Sequence, residues 1–338
     1  MAEAYQRIYL IDSAGINLIL PDEHIGETEL ADARNVVPEA MGLGSLKKRR
    51  GISRFNSAMA SARTFVGSVY SGVKGPYYTD QSASAWDIRG VEGTSLQSGT
   101  ATVAFPSWAS LAGYDLVVDG TNAFKTSNGT TFTTLANIPS GAKWIWVYNN
   151  FVFCAGHDGN TVRFAALGTV ETWTATNEFK FTNNSADITT GGMNAGKVSI
   201  VFMNSQFHHI QGYGSTSLTI SYSNTSVGCL SHRSAILSPY GAFWWSDRGL
   251  TWAKDLQDNI DFVTSRKLDS SFLVAPGNAG SIHGIWDTVN HCVHMYIPYE
   301  HGQDCNLRID YYPQKDAIYL QDGAAAEMAC SAYVLMPA

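Results

Sequence analysis

From about Arg63 onward the chain repeats one pattern, and that pattern decides its fold class. A short apolar run reaches a turn of Asn, Asp or Gly, and a second apolar run returns. Trp144–Tyr148, Asn149-Asn150 and Phe151–Ala155 make one such pair; Ile282–Trp286, Asp287–Asn290 and His291–Ile297 make another. Runs rich in aromatic and β-branched residues suit strands, and Asn, Asp and Gly tolerate the positive φ of tight turns. The units recur at roughly 40–50 residues, the span of a four-stranded propeller blade. The expectation is an all-β, β-propeller-like chain of about five or six four-stranded blades. On pattern alone the competitor is a pair of β-sandwiches.

Further strands are expected at Thr64–Gly72, Gly113–Gly120, Lys197–Gly214 and Asp269–Gly277. Asn128-Gly129 is expected to turn a hairpin within Thr121–Leu135, because Asn-Gly is the strongest short hairpin signal. Trp244–Trp252 reads D-x-G-x-T-W over Asp247, Gly249, Thr251 and Trp252. Asp247 can accept hydrogen bonds from the turn's backbone N–H groups, Gly249 can take positive φ, and Trp252 can pack back on the sheet. This turn recurs in β-propellers as the Asp-box, although Trp245 stands where Ser is usual. Helix signals are scarce. Glu27–Val37 is the one candidate, with Thr28 as cap, Leu30, Ala33 and Val37 on one face, and Pro38 to end it. No linker rich in Pro or Ser divides the chain, so residues 1–56 read as an extended segment and hairpin, and 57–338 as the propeller.

The chain's 338 residues are 45% hydrophobic and only 15% charged, with 31 Gly and 40 aromatic residues (9 Trp, 16 Tyr and 15 Phe), which suits an all-β protein with many turns. The net charge of −7 argues against a general nucleic-acid binder, which would carry a basic face. Five cysteines at long spacings without C-x-x-C imply no disulfide framework, and buried free thiols are expected. The N-terminus shows no secretory signal, and no apolar run is long enough to span a bilayer.

Four constellations carry chemistry. His291–Cys305 holds His291, Cys292, His294, His301 and Cys305, ligand types that suit a transition metal. On a strand, Cys292 and His294 share one face and His291 points to the other. The spacing matches no standard zinc module, so a structural hairpin is expected and no metal or cofactor is assigned. His208 and His209 face opposite sides of a strand and cannot act as a pair. Lys47, Lys48, Arg49 and Arg50 form the densest positive run, either a solvated hairpin rim or a contact with an acidic neighbouring protein or with DNA backbone. A propeller glycosidase such as a sialidase needs an arginine cluster, a Tyr–Glu pair and an acid. Arg163, Arg233, Arg248, Arg266 and Arg308 are scattered one per unit, and only Glu300 and Glu327 follow Glu178. No catalytic residue is assigned and no enzyme is expected. A propeller used as an interaction platform is a further reading, without WD or kelch signatures.

Two stretches resemble the β-propeller tail proteins of short-tailed bacteriophages. In Gly15–Phe55, the residues Gly15, Asn17, Ala33, Asn35, Val36, Gly44, Leu46, Lys48, Arg49 and Gly51 fit that family's N-terminal segment, with Arg50 where the family often has Pro. In Ser226–Trp252, the residues Gly228, Arg233, Ser234, Gly241, Phe243, Ser246, Asp247 and Gly249 fit its middle signature, with Arg248 inserted before the turn glycine. Together the two cover about a fifth of the chain. The resemblance implies a structural virion protein, the nozzle or hub of a short tail, made in the host cytoplasm. It implies a homo-oligomeric ring, six-fold in the family. That ring docks the portal-adaptor above and needle, spike or fibre proteins below, while genomic DNA passes through its lumen without specific binding.

Overall fold

The computed structural model describes residues 65–322, except 82–85, 91–92, 100–104, 182–186, 215, 224, 255–258, 275 and 300–304, together with 36–38 and 46–48. Six four-stranded antiparallel sheets follow one another along the chain. The first holds β3 (Phe65–Ser71), β4 (Pro76–Gln81), β5 (Trp86–Gly90) and β6 (Ser95–Gly99). The second holds β7 (Ser107–Leu111), β8 (Tyr114–Val118), β9 (Ala123–Thr126) and β10 (Thr133–Thr134). The third runs from β11 (Trp144–Tyr148) through β12 (Phe151–Ala155) and β13 (Thr161–Ala165) to β14 (Trp173–Lys180). The fourth is β15 (Thr189–Asn194), β16 (Ser199–Met203), β17 (Phe207–Gln211) and β18 (Thr219–Tyr222). The fifth is β19 (Ile236–Ser238), β20 (Gly241–Ser246), β21 (Gly249–Ala253) and β22 (Ile260–Phe262). The sixth is β23 (His283–Asp287), β24 (Cys292–Ile297), β25 (Leu307–Tyr312) and β26 (Ala317–Asp322). Each sheet pairs its strands in sequence order, an up-and-down blade, and the first strands of the blades gather round one axis. The fold is therefore a six-bladed β-propeller, not a pair of sandwiches.

The sequence explains why the blades stack. The strands β12, β16 and β20 are apolar on both faces and buried throughout, because each face packs on a neighbouring blade. Between the third and fourth blades lie Trp146, Phe153 and Phe164 against Val201, Met203 and Ile210. Between the fourth and fifth, Trp244 meets Phe202 and Phe207, each with ring centroids 5.3 Å away, and its Nε1–H donates to the Gly228 carbonyl. Outer strands are different: β14 and β18 are largely exposed or half-buried and rich in Thr and Ser. The Asn149-Asn150 turn joins β11 to β12 with both residues at positive φ, 46° and 62°, as a two-residue hairpin requires.

Three expected elements are corrected. Asn128-Gly129 does not form a two-residue turn. The loop from β9 to β10 spans 127–132, and Asn128 Oδ1 accepts from the N–H groups of Thr130 and Thr131. The Asn side chain closes a wider loop here instead of taking positive φ itself. Asp269–Gly277 is not a strand. Asp269 accepts from Ser271 N and starts a 3-10 turn, Ser270–Phe272, that buries Phe272. A second 3-10 turn begins at Pro276. The proposed helix Glu27–Val37 ends differently as well. Val36–Pro38 is a strand, β1, paired with β2 (Leu46–Lys48) in the register Val36↔Lys48. Two adjacent valines favour the extended backbone. The rest of that helix, from Glu27 to Asn35, lies outside the described residues. One short helix not read from the sequence, α1 (Val263–Lys267), follows β22 and buries Val263 and Thr264.

Candidate functional site

Propellers present residues from every blade at their axis, and here side chains from all six blades narrow it to a small cavity. A cavity of about 310 Å³ is lined by Tyr70, Ser107, Trp146, Gly192, His232 and Gly284, one from each blade or its lead-in. That is the size of a small-ligand pocket and no passage for a duplex. His232 plugs it from the 3-10 turn His232–Ser234 that leads into β19. The Gly192 N–H donates to its Nδ1 at 3.3 Å, and its Nε2 lies 3.0 Å from Ser107 Oγ. Ser107 Oγ in turn receives the Ile145 N–H and reaches the Ile145 carbonyl. With a donor already facing Nδ1, the imidazole is neutral and carries its hydrogen on Nε2. Burial, aided by the Arg233 charge beside it, pushes the His232 pKa down to about 4. One ring thus joins the second, fourth and fifth blades.

A second cavity of about 300 Å³ adjoins the first, lined in part by Phe105, Lys143, Trp144 and Arg233. The Arg233 guanidinium lies 3.9 Å from the Phe105 ring centroid, a cation–π contact. The other arginines from the glycosidase reading are not spread one per blade, for Arg248 and Arg266 both belong with Arg233 to the fifth blade and its following helix, but each has a partner of its own. Arg163 pairs with Glu178, Arg266 with Asp261 and Asp316, and Arg308 with Asp310; Arg248 lies over Phe262. Among the described residues no arginine cluster faces the axis.

The Trp244–Trp252 turn is built by a neighbour of the residue singled out from sequence. Asp247 is exposed; Ser246 is buried, and its hydroxyl accepts the Arg248 N–H and meets Thr251 Oγ1 at 2.7 Å. A hydroxyl one position earlier takes the role expected of the carboxylate, because Ser246 pairs with Gly249 and leaves Asp247 and Arg248 as the two turn residues. Gly249 lies at φ +86°, and a Cβ there would sit 2.6 Å from Thr264 Oγ1. Trp252 stacks on Phe243 at 5.3 Å and donates to the Tyr240 carbonyl. Gly249→Val is expected to cost roughly 1–3 kcal/mol, from strain at positive φ and the clash with Thr264. A thermal melt checks this; an unchanged midpoint would mean that the backbone there is not left-handed.

The histidine- and cysteine-rich segment divides. His291 occupies the β23–β24 turn at φ +54° with its ring 6.3 Å from that of Trp286, while Cys292 and His294 share a face of β24. Cys305 lies elsewhere, with its thiol donating to the Ser281 carbonyl, and His301 lies outside the described residues. What sequence reasoning missed are two carboxylates. His294 Nε2 is 3.1 Å from Asp287 Oδ2, and Nδ1 is 2.6 Å from Asp310 Oδ1. Burial opposes charge on this ring, but the Asp310 charge and the hydrogen bonds the ring donates to both aspartates lift its pKa well above the usual histidine value. Asp310 reaches His294 through the β24–β25 register, where the two are direct partners. His208 and His209 stay apart as expected; His208 stacks on Phe181, and burial pushes its pKa down to about 4.

Of the basic run, Lys47 and Lys48 lie in β2, whose partner β1 runs close to β26, the outermost strand of the last blade. Arg49 and Arg50 lie outside the described residues. The described cysteines Cys154, Cys229, Cys292 and Cys305 are all buried, and none is in a disulfide. No described helix is long and apolar enough to cross a membrane.

No protein-family model and no curated protein matches this chain. Among solved structures it is similar to the extracellular domain of a one-component system protein from B. thetaiotaomicron, with TM-score 0.48 and 10% identity over 69% of this chain and 32% of that one. The chain thus spans about a third of that protein's length. It is also similar to virginiamycin B lyase from Staphylococcus aureus, with TM-score 0.47 and 12% identity over 75% of this chain and 82% of that one. A third is the WD40 propeller domain of Doa1, with TM-score 0.45 and 10% identity over 75% of this chain and 81% of that one. At such identities the likeness extends to the propeller fold alone.

Proposed function

We propose that this six-bladed propeller is a non-enzymatic platform, and specifically the hub or nozzle subunit of a short phage tail. The observation that carries the finer reading is the pair of stretches resembling that family, Gly15–Phe55 and Ser226–Trp252. The second stretch falls on the fifth blade and supplies the 3-10 turn, β19, β20 and most of β21. The non-enzymatic reading is supported by the scattered, paired arginines and the plugged axis. Because only a cavity of about 310 Å³ is left at that axis, DNA in a tail would pass through a lumen between subunits and not through the propeller itself. A net charge of −7 suits a wall that repels phosphates and lets a genome slide.

The expected result is a closed ring of six copies with a central hole, seen by cryo-EM of the purified protein or of an assembled tail, with a lining poor in Lys and Arg. A head-to-tail contact repeated by rotation must close or grow into a filament. Changing Lys47, Lys48, Arg49 and Arg50 together to Ser is expected to weaken docking to a neighbouring tail protein, with the loss shrinking at high salt. A monomer at every concentration, or these residues lining the lumen, would overturn the assignment.

A further inference from the structure

We propose that Asp287, Cys292 and His294 form a three-ligand site for a borderline divalent cation, Zn²⁺, at the end of the β23–β24 hairpin. One donor atom from each lies within 4.8 Å of the others. His294 Nε2 stands 3.1 Å from Asp287 Oδ2 and 3.7 Å from Cys292 Sγ. Ligands at about 2.0–2.3 Å from a tetrahedral Zn²⁺ are roughly 3.3–3.7 Å from one another, so these spacings already approximate two edges of the tetrahedron. Sγ is only 0.1 Å nearer to Nε2 than to Nδ1, 3.7 against 3.8 Å, so closing the site requires the thiol to turn toward Asp287. The fourth position is left for water or for the half-buried Tyr312 hydroxyl, which hydrogen-bonds the Cys292 thiol.

The surroundings fit a metal-binding histidine. Its other nitrogen, Nδ1, faces the Asp310 carboxylate at 2.6 Å, the outer partner that orients such a ligand. Arg308 Nε, 2.7 Å from Asp310, balances that charge. A dication with one thiolate and one Asp287 carboxylate is then neutral. Coordination releases the thiol proton, and any proton between Nε2 and Oδ2, to solvent.

A bare turn-capping role does not account for this grouping. Asp287 caps its turn through Oδ1, which accepts from Val289 N and Asn290 N, while Oδ2 takes Asn290 Nδ2. Asp119 caps a matching D-x-x-N turn in the second blade, with Oδ1 on Thr121 N and Asn122 N and Oδ2 on Asn122 Nδ2. There the remaining contact is the Trp86 indole N–H. The same turn therefore needs no Cys, His or second carboxylate, and the sixth blade has all three. The sequence-level expectation of a structural hairpin lacked Asp287 and Asp310, which pairing alone brings in.

The test is titration of the full-length, chelator-treated protein with Co²⁺. Expected are a thiolate-to-cobalt charge-transfer band and tetrahedral d–d bands at one equivalent, displaced by Zn²⁺, with Zn²⁺ also raising the melting midpoint. Cys292→Ser removes the charge-transfer band, and Cys305→Ser leaves it. If Cys292→Ser fails to fold, X-ray absorption on the zinc-loaded native chain decides, with one sulfur and two or three N/O neighbours expected. Absence of the band, its persistence in Cys292→Ser, or a shell without sulfur overturns the site.

Discussion

Asp115→Ala is expected to lose about 3–5 kcal/mol of folding free energy, since several donors that now meet a carboxylate would lose it. Asp115 is fully buried in β8 of the second blade. Its Oδ1 accepts from Val73 N at 2.8 Å and from Ser110 Oγ at 2.6 Å. Its Oδ2 accepts from Lys74 N at 2.9 Å and from Tyr77 Oη at 3.2 Å. The two backbone groups belong to the β3–β4 turn, so one side chain fastens the first blade to the second. The network continues, with Tyr70 Oη 2.6 Å from Ser110 Oγ. Burial raises the Tyr70 and Tyr77 pKa values, and the Asp115 charge raises both further, so each phenol keeps its hydrogen. Gly72 is required nearby, because a Cβ there would stand 2.3 Å from Asp115 Oδ2. Asp115→Asn should also destabilise, because an NH₂ would replace one acceptor before these donors. The control is Asp247→Ala, an exposed position expected to stay within about 0.5 kcal/mol of the native value. Urea denaturation measures both. Equal midpoints for the two alanine variants would mean that Asp115 does not hold the blades together.

That pair of aspartates shows what the sequence makes legible. Asp247 stands out in the chain because it sits in a recognisable turn string, and it proves to be a solvent-facing residue. Asp115 lies unremarked in GYDLVVDG, and its importance comes from a turn some 40 residues earlier. Local signals were read well where local physics decides: Asn149-Asn150, the Trp144–Ala155 hairpin and the 40–50 residue blade spacing. They failed where a side chain chose between backbone alternatives, as Asp269 did in capping a 3-10 turn and Asn128 in closing a wider loop. The His294 cluster was half visible. Cys292 and His294 share a strand face by simple alternation, but Asp310 arrives only through the β24–β25 register. A register between strands separated by residues 298–306 has no signature in either strand. The plug at the axis was not legible for the same reason, since His232, Ser107 and Gly192 meet only when the blades have closed.

That closure gives the remaining prediction its size. His232→Ala is expected to cost about 3 kcal/mol at neutral pH, by emptying space at the axis and stranding the Gly192 N–H. His232→Gln should cost much less, because an amide offers one acceptor and one donor in place of Nδ1 and Nε2. The native protein should also be acid-sensitive. In the folded chain the His232 pKa is about 4, and in the unfolded chain it returns to about 6.5. Above pH 6.5 neither state binds the proton, and the ring's contribution is complete. Between pH 6.5 and 4 the unfolded chain takes up a proton that the folded chain refuses, so stability falls as pH falls. The limiting slope is about 1.4 kcal/mol per pH unit for one proton. His208, also held near 4 by burial, adds a loss of the same sign. Unfolding free energies of native and His232→Gln protein at several pH values between 7.5 and 4.5 should therefore diverge. The native curve should be steeper, by up to one proton's slope. Parallel curves would mean that His232 is not the neutral ring that ties three blades at the axis.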